Sequence, residues 1–182
     1  GLAGASELGR VCAALVVVDV LSFTTAVDVA VGRGTRVHPF PWSAQADAYA
    51  SRVGAVAAVG RAEASPQRPW SLSPAALRRA PGTPDLVLPS PNGSAICAAA
   101  SATGLPVVAG CLRNARAVAR WLLHQGYGTA RAPIGVIAAG ERWPDDTLRP
   151  GVEDLLGAAV RLEDDPVGLD LVGDHGPPLV DQ

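Results

Sequence analysis

AALVVVDVLSFTTAVDVAVGRG, residues Ala13 to Gly34, decides how the rest of the chain is read. Ala13 to Val18 is an unbroken, Val-rich apolar run. That pattern suits a strand buried on both faces, as in a parallel sheet. It ends on Asp19, a carboxylate at the strand's carboxyl end. Ser22, Thr24 and Thr25 follow, and a helical pattern then runs to Gly32. Hydroxyls at a helix start cap free backbone N–H groups, and the same N–H groups with the helix dipole favour a bound anion. One loop thus offers a carboxylate for a cation and donors for an anion. Read as local structure alone, the same residues are caps.

Working outward, strands are predicted over residues 36–40, 55–59, 85–88, 106–109 and 134–138. Helices are predicted over 43–52 with Ser43 as cap, and over 74–80 with Ser73 as cap and Pro74 at the first turn. Further helices run to Ala102, from Asn114 to Gln125, and from Val152 to about Leu162. Residues 60–73 read as an irregular excursion. The tail from Glu163 reads as loop or edge structure, with one more strand near Leu169 to Val172. No internal repeat is visible. The alternation implies one α/β domain over residues 1–182, a mostly parallel sheet with helices on both faces. In such folds ligands sit outside the carboxyl ends of the strands. Right-handed crossovers bring the loops Asp19–Thr25, Pro89–Ser94, Gly110–Asn114 and Ala139–Arg149 to one edge.

Composition narrows the chemistry. The chain has 182 residues, 48% hydrophobic and 18% charged, which is globular usage. Its net charge of −2 gives no electrostatic case for a nucleic-acid partner. No apolar run reaches membrane-spanning length, so no membrane partner is expected. All fifteen basic residues are Arg, which removes a P-loop lysine, a Schiff base and a lysine general base. Met is absent and residue 1 is Gly, so a missing native start is expected. Cys12, Cys97 and Cys111 form an odd, sparse set that argues for a reducing compartment, here read as the cytoplasm.

Several motifs fail on spacing. GRGTRV at Gly32 to Val37 follows a helix and lacks the third glycine of a dinucleotide fingerprint. Cys111 and Arg116 are one residue too close for a cysteine-phosphatase loop, and NGSAI around Ser94 is no nucleophile elbow. His38, His124 and His175 are scattered, with no zinc pattern. What remains is a carboxylate and hydroxyl site. Asp19, Glu153, Asp154 and Glu141 are candidates to hold Mg²⁺, which prefers oxygen ligands and keeps waters. Glu153 and Asp154 also suit a helix start for dipole reasons alone. Asn92, Gly93 and Ser94 offer donors to phosphate at another helix start. Asn114 does the same or merely caps. Arg142 is a candidate clamp for a phosphate or carboxylate.

Val16-Val17-Val18-Asp19-Val20-Leu21 with Thr24-Thr25 resembles the VVIDVLRATTT stretch of the 2-phosphosulfolactate phosphatase (ComB-like) family. Pro91-Asn92-Gly93-Ser94 is similar to its TNGT motif. Gly110 to Ala115 resembles GSFLNA, and Ala139-Gly140 through Glu153-Asp154 resembles CAG…LED. The four blocks stand in the family's order. The family's Arg after DVL is Ser22 here, and its G-E-R block appears as Gly60-Arg61-Ala62. The resemblance implies a three-layer α/β/α fold, a Mg²⁺-dependent phosphatase activity and a homodimer. Substrates implied are phosphate esters of 2-hydroxy acids. It matches Asp19, Thr24, Thr25, Asn92, Gly93, Ser94, Asn114, Glu153 and Asp154 to motif positions.

The expectation is therefore a Mg²⁺-dependent phosphomonoester hydrolase acting on a small-molecule phosphate ester. Asp19 and Arg142 are its catalytic candidates. Thr24, Thr25, Asn92, Gly93, Ser94 and Asn114 would bind phosphate, and Asp19, Glu153 and Asp154 would hold metal. Whether Asp19 is nucleophile or metal ligand stays open. The rival is a non-catalytic module that binds a phosphorylated or carboxylated metabolite.

Overall fold

The computed structural model describes residues 1–145 and 147–159. Its elements, in chain order, are α1 (Leu2–Leu8), β1 (Ala14–Val18), α2 (Phe23–Val31), β2 (Arg36–Pro41), α3 (Ala46–Val53), β3 (Val56–Ala57), α4 (Pro74–Arg79), β4 (Asp85–Ser90), α5 (Gly93–Ser101), β5 (Val107–Gly110), α6 (Ala115–His124), β6 (Ile134–Ala138), β7 (Glu141–Arg142), β8 (Leu148–Arg149) and α7 (Val152–Ala159). A short 3-10 turn, Arg61–Glu63, precedes α4.

The α/β class and the parallel pairing are as the alternation predicts. The ladders, however, fall into two three-stranded parallel sheets, β5-β1-β6 and β2-β4-β3, rather than one. Strand alternation shows how they stack. Leu15 and Val17 of β1 share one core with Leu86 and Leu88 of β4 and with Phe23 and Ile96 from α2 and α5. Ala14, Val16 and Val18 face the other way, onto Val118 and Leu122 of α6. Val87 faces Ala46 and Ala50 of α3. Helices α2 and α5 therefore fill the space between the inner faces of the two sheets. Successive residues on a strand point to opposite faces, so a continuous apolar run satisfies both layers at once. Each fully buried Leu or Phe in this arrangement contributes about 1.5–3 kcal/mol.

Ser73 accepts from the Ala76 N–H at 3.3 Å with Pro74 next to it, the helix start predicted for α4. Ser43 does not cap α3. It accepts from Gln45 N at 3.3 Å in a turn, and the helix begins three residues on. Strand β3 is only two residues long. Helix α1 is absent from the sequence reading. Seven residues are too few to be helical on propensity, and this helix is held by Ala5, which is fully buried in the central core. The expected end of the last helix at Leu162 and the strand near Leu169 to Val172 lie outside the described residues. Among the described residues no helix is long and apolar enough to cross a membrane.

Candidate active site

Asp19 follows β1, the middle strand of its sheet, where Val18 lies opposite Gly110 on one side and Ala138 on the other. The chain turns there because Thr24 folds back onto it. Asp19 N donates to Thr24 Oγ1 at 3.0 Å, and that hydroxyl donates to Asp19 O at 2.7 Å. The turn places Phe23 N 3.1 Å from Asp19 Oδ1. The carboxylate is 8% exposed. Helix α5 starts directly on it. A Cβ at Gly93 would lie 2.5 Å from Asp19 Oδ2 and 2.5 Å from Phe23 Cδ1, so only glycine permits this approach.

Asp154 approaches from α7. It is 3% exposed, and its two oxygens accept from different loops, Oδ1 from Val20 N at 2.7 Å and Oδ2 from Gly140 N at 2.8 Å. One side chain so ties the loop after β1 to the loop after β6. Gly157 lets α7 come this close, since a Cβ there would meet Val20 Cγ2 at 2.7 Å. Asn92 Nδ2 donates to Glu141 Oε2 at 2.9 Å, joining the loop after β4 to β7. Loops from three strands thus meet at one edge, as the topology requires.

Burial pushes the Asp19 carboxyl up to about 6. The N–H groups of Phe23 and Gly93 pull it back down, and the charges of Asp154 and Glu141 add to the rise. Burial raises Asp154 too, against its hydrogen bonds from Val20 and Gly140. The charges of Asp154 and Glu141 thus bear on Asp19, those of Glu153 and Glu141 bear on Asp154, and no cationic side chain offsets them at Asp19. Such a group suits a hard cation. Among the described residues no set of three or more His, Cys, Asp or Glu side chains is placed to hold a metal ion. A cation here would take one or two carboxylates and complete its shell with water and substrate oxygens, the habit of Mg²⁺. Asp154 holds a backbone N–H on each oxygen, Asp19 Oδ1 holds that of Phe23, and Glu141 Oε2 holds the Asn92 amide. The half-buried Glu153 bears on Asp154, and it is not among the charges that act on Asp19.

The hydroxyl candidates are placed at this edge, but their donors are engaged. Thr24 binds Asp19 O, Thr25 Oγ1 donates to Val20 O at 2.8 Å, and Ser94 Oγ donates to Ser90 O at 2.6 Å. Asn114 sits at the start of α6 without a side-chain cap. It accepts from Cys111 N at 2.8 Å and donates to Ala109 O at 3.0 Å, bracing its own loop. These bonds brace the loops.

A cavity of about 290 Å³ opens beside the acids, lined by Asn92, Ile96, Ala139, Glu141, Arg142 and Leu148 together with residues 1–4. Its lining stops short of Asp19, which Gly93 covers. Arg142 reaches this cavity because β7 and β8 form an antiparallel hairpin, pairing Glu141 with Arg149 and Arg142 with Leu148. The sequence reading left residues 139–150 as a loop. Trp143-Pro144-Asp145 carried the missing signal: Asp145 Oδ1 accepts from Thr147 N at 3.1 Å, an Asx-type turn.

Arg61, which the sequence shows only as part of the altered G-E-R block, reaches the turn after β1. From the 3-10 turn its Nη2 donates to Ser22 Oγ and its Nε to Leu72 O at 3.1 Å, while Ser22 Oγ donates to the same Leu72 carbonyl at 2.9 Å.

The chain gives no match among curated proteins. The family model described as 2-phosphosulpholactate phosphatase matches residues 4–163, which includes every site residue above. With that match over most of its length, the chain belongs to the 2-phosphosulpholactate phosphatase family, whose members are phosphoric monoester hydrolases.

Proposed function

We propose that this phosphatase hydrolyses the phosphate ester of a small 2-hydroxy acid and that it uses Mg²⁺. The observation that carries the reading is the buried Asp19 carboxylate, held by backbone N–H groups and set against Asp154 and Glu141. Backbone donors fix an acid without cancelling its charge, which leaves it able to bind a cation or to take part in phosphoryl transfer. A bound Mg²⁺ would supply Lewis-acid stabilisation of the phosphate oxygens. Asp19 and Glu141 would hold it. Asp154 keeps the loops after β1 and β6 at a constant separation. Arg142, lining the adjoining cavity, would stabilise phosphate charge. Gly93 keeps the start of α5 against Asp19, so that neighbouring backbone donors face the same point.

Turnover of 2-phospholactate with and without Mg²⁺ tests this reading. The expected result is hydrolysis that a chelator abolishes and Mg²⁺ restores. Hydrolysis unchanged by a chelator would remove the metal from the proposal. No hydrolysis of any phosphorylated 2-hydroxy acid would remove the substrate class.

Two further readings are proposed with it. The free thiols Cys12, Cys97 and Cys111 suit a cytoplasmic protein. The exposed apolar residues Leu123, Val136, Leu155 and Leu156 suit a homodimer contact on the outer face of β5-β1-β6. Sedimentation of the purified chain measures the latter.

A further inference from the structure

We propose that Arg61 is the residue that reads the acid group of the substrate. The inference rests on the phosphatase reading above and deepens it. Arg10, Arg36, Arg68 and Arg113 are each paired with a carboxylate: Glu7, Asp85, Asp47 and Asp28. Arg61 differs. Its Nε and Nη2 are held by Leu72 O and Ser22 Oγ, neither of which carries a charge. Its Nη1 has no partner among the described residues. The guanidinium is therefore oriented but not neutralised.

Its anchor is the reacting edge itself. Ser22 is buried, stands at the start of α2 and adjoins Phe23, whose N–H rests on Asp19. The phosphate ester of a 2-hydroxy acid carries a second anion one carbon from the ester oxygen. It would enter a site whose own groups, Asp19, Glu141 and Asp154, are acids. A phosphate-bound cation answers one end of such a substrate, and an unneutralised guanidinium answers the other by planar, two-point hydrogen bonding.

The test compares two substrates that differ only in the acid group, 2-phospholactate and isopropyl phosphate. In Arg61→Gln, KM for 2-phospholactate should rise tenfold or more, with kcat within about twofold, while kinetics on isopropyl phosphate stay unchanged. Arg61→Lys should recover part of the preference. An equal loss on both substrates, or no change on either, overturns the proposal. If the parent protein turns over neither substrate, the phosphatase reading fails by itself. Arg61 is then decided by calorimetric titration with 2-phospholactate. Tenfold weaker binding in Arg61→Gln supports the proposal. Equal affinity, or no binding to the parent protein, overturns it.

Discussion

The two sheets treat their acids in opposite ways. Around β2-β4-β3, acids meet cationic or basic side chains: Asp47 meets Arg68 at 3.0 Å, and Asp85 meets Arg36 at 3.4 Å and His38 at 2.9 Å. At the carboxyl edge of β5-β1-β6, Arg113 pairs with Asp28 at 2.8 Å, but the buried Asp19 and Asp154 are held by backbone N–H groups, and Glu141 by an amide. An ion pair neutralises as it positions. A backbone donor positions and leaves the negative charge in place, at the cost that burial imposes on an ionised carboxylate. The named acids of the first sheet are neutralised where they stand, and Asp19 and Asp154 of the second are not.

The largest effect that would break this contrast is at Asp19. Asp19→Asn keeps the shape and removes the charge, and turnover should fall by about a thousandfold or more. Steady-state kinetics on the preferred phosphate ester measure it, and a near-normal rate would place the chemistry elsewhere. Gly93→Ala comes next. Its methyl would drive into Asp19 Oδ2 and Phe23, costing about 1–3 kcal/mol as overpacking. Displacement of the carboxylate should lower turnover on the order of a hundredfold, and an unchanged urea midpoint and rate would refute the close approach.

Stability against pH sharpens the contrast without substrate. In the metal-free fold burial lifts Asp19 from 3.8 to about 6. The folded state therefore prefers the protonated acid. Stability from this group is fully present below the unfolded value and is lost as pH rises through about 6. The loss is about 3 kcal/mol at 1.36 kcal/mol per unit. Urea unfolding with a chelator present should show the difference between the parent protein and Asp19→Asn opening between about pH 4 and pH 6. A constant difference would mean that folding does not shift the Asp19 carboxyl. Asp154→Asn should cost about 1–3 kcal/mol, because an amide can accept from only one of Val20 and Gly140 with its oxygen. Asp47→Asn, on the other sheet, should change stability by no more than about 1 kcal/mol and leave kinetics unaltered. A large kinetic effect there would erase the distinction between the two regions.

Much of the fold was legible because β1 and β5 are buried on both faces and β6 is apolar throughout. Uninterrupted apolar runs such as Ala14–Val18 and Ile134–Ala138 announce themselves without a partner in view. Helix α1 and the β7–β8 hairpin were not legible, since one depends on Ala5 reaching the core and the other on a two-residue ladder. The position of Asp19 at a strand end followed from the local pattern. The hydrogen-bond partners of Thr24, Ser94 and Asn114 did not: a hydroxyl or amide after a strand reads equally as a phosphate donor or a loop brace. Here each closes onto a carbonyl of its own turn.

Periodicity and the residue that ends β1 by themselves determined the α/β class, the parallel pairing and the carboxylate at its functional edge. These are properties of neighbours in the chain, and local sterics with apolar burial suffice to set them. Tertiary structure alone decided that the strands divide into two sheets around α2 and α5. It also decided that Asp154 binds two loops at once and that Arg61 arrives at Ser22. Those outcomes join residues 14 to 134 positions apart. Their energies appear only when long-range packing has closed the intervening chain.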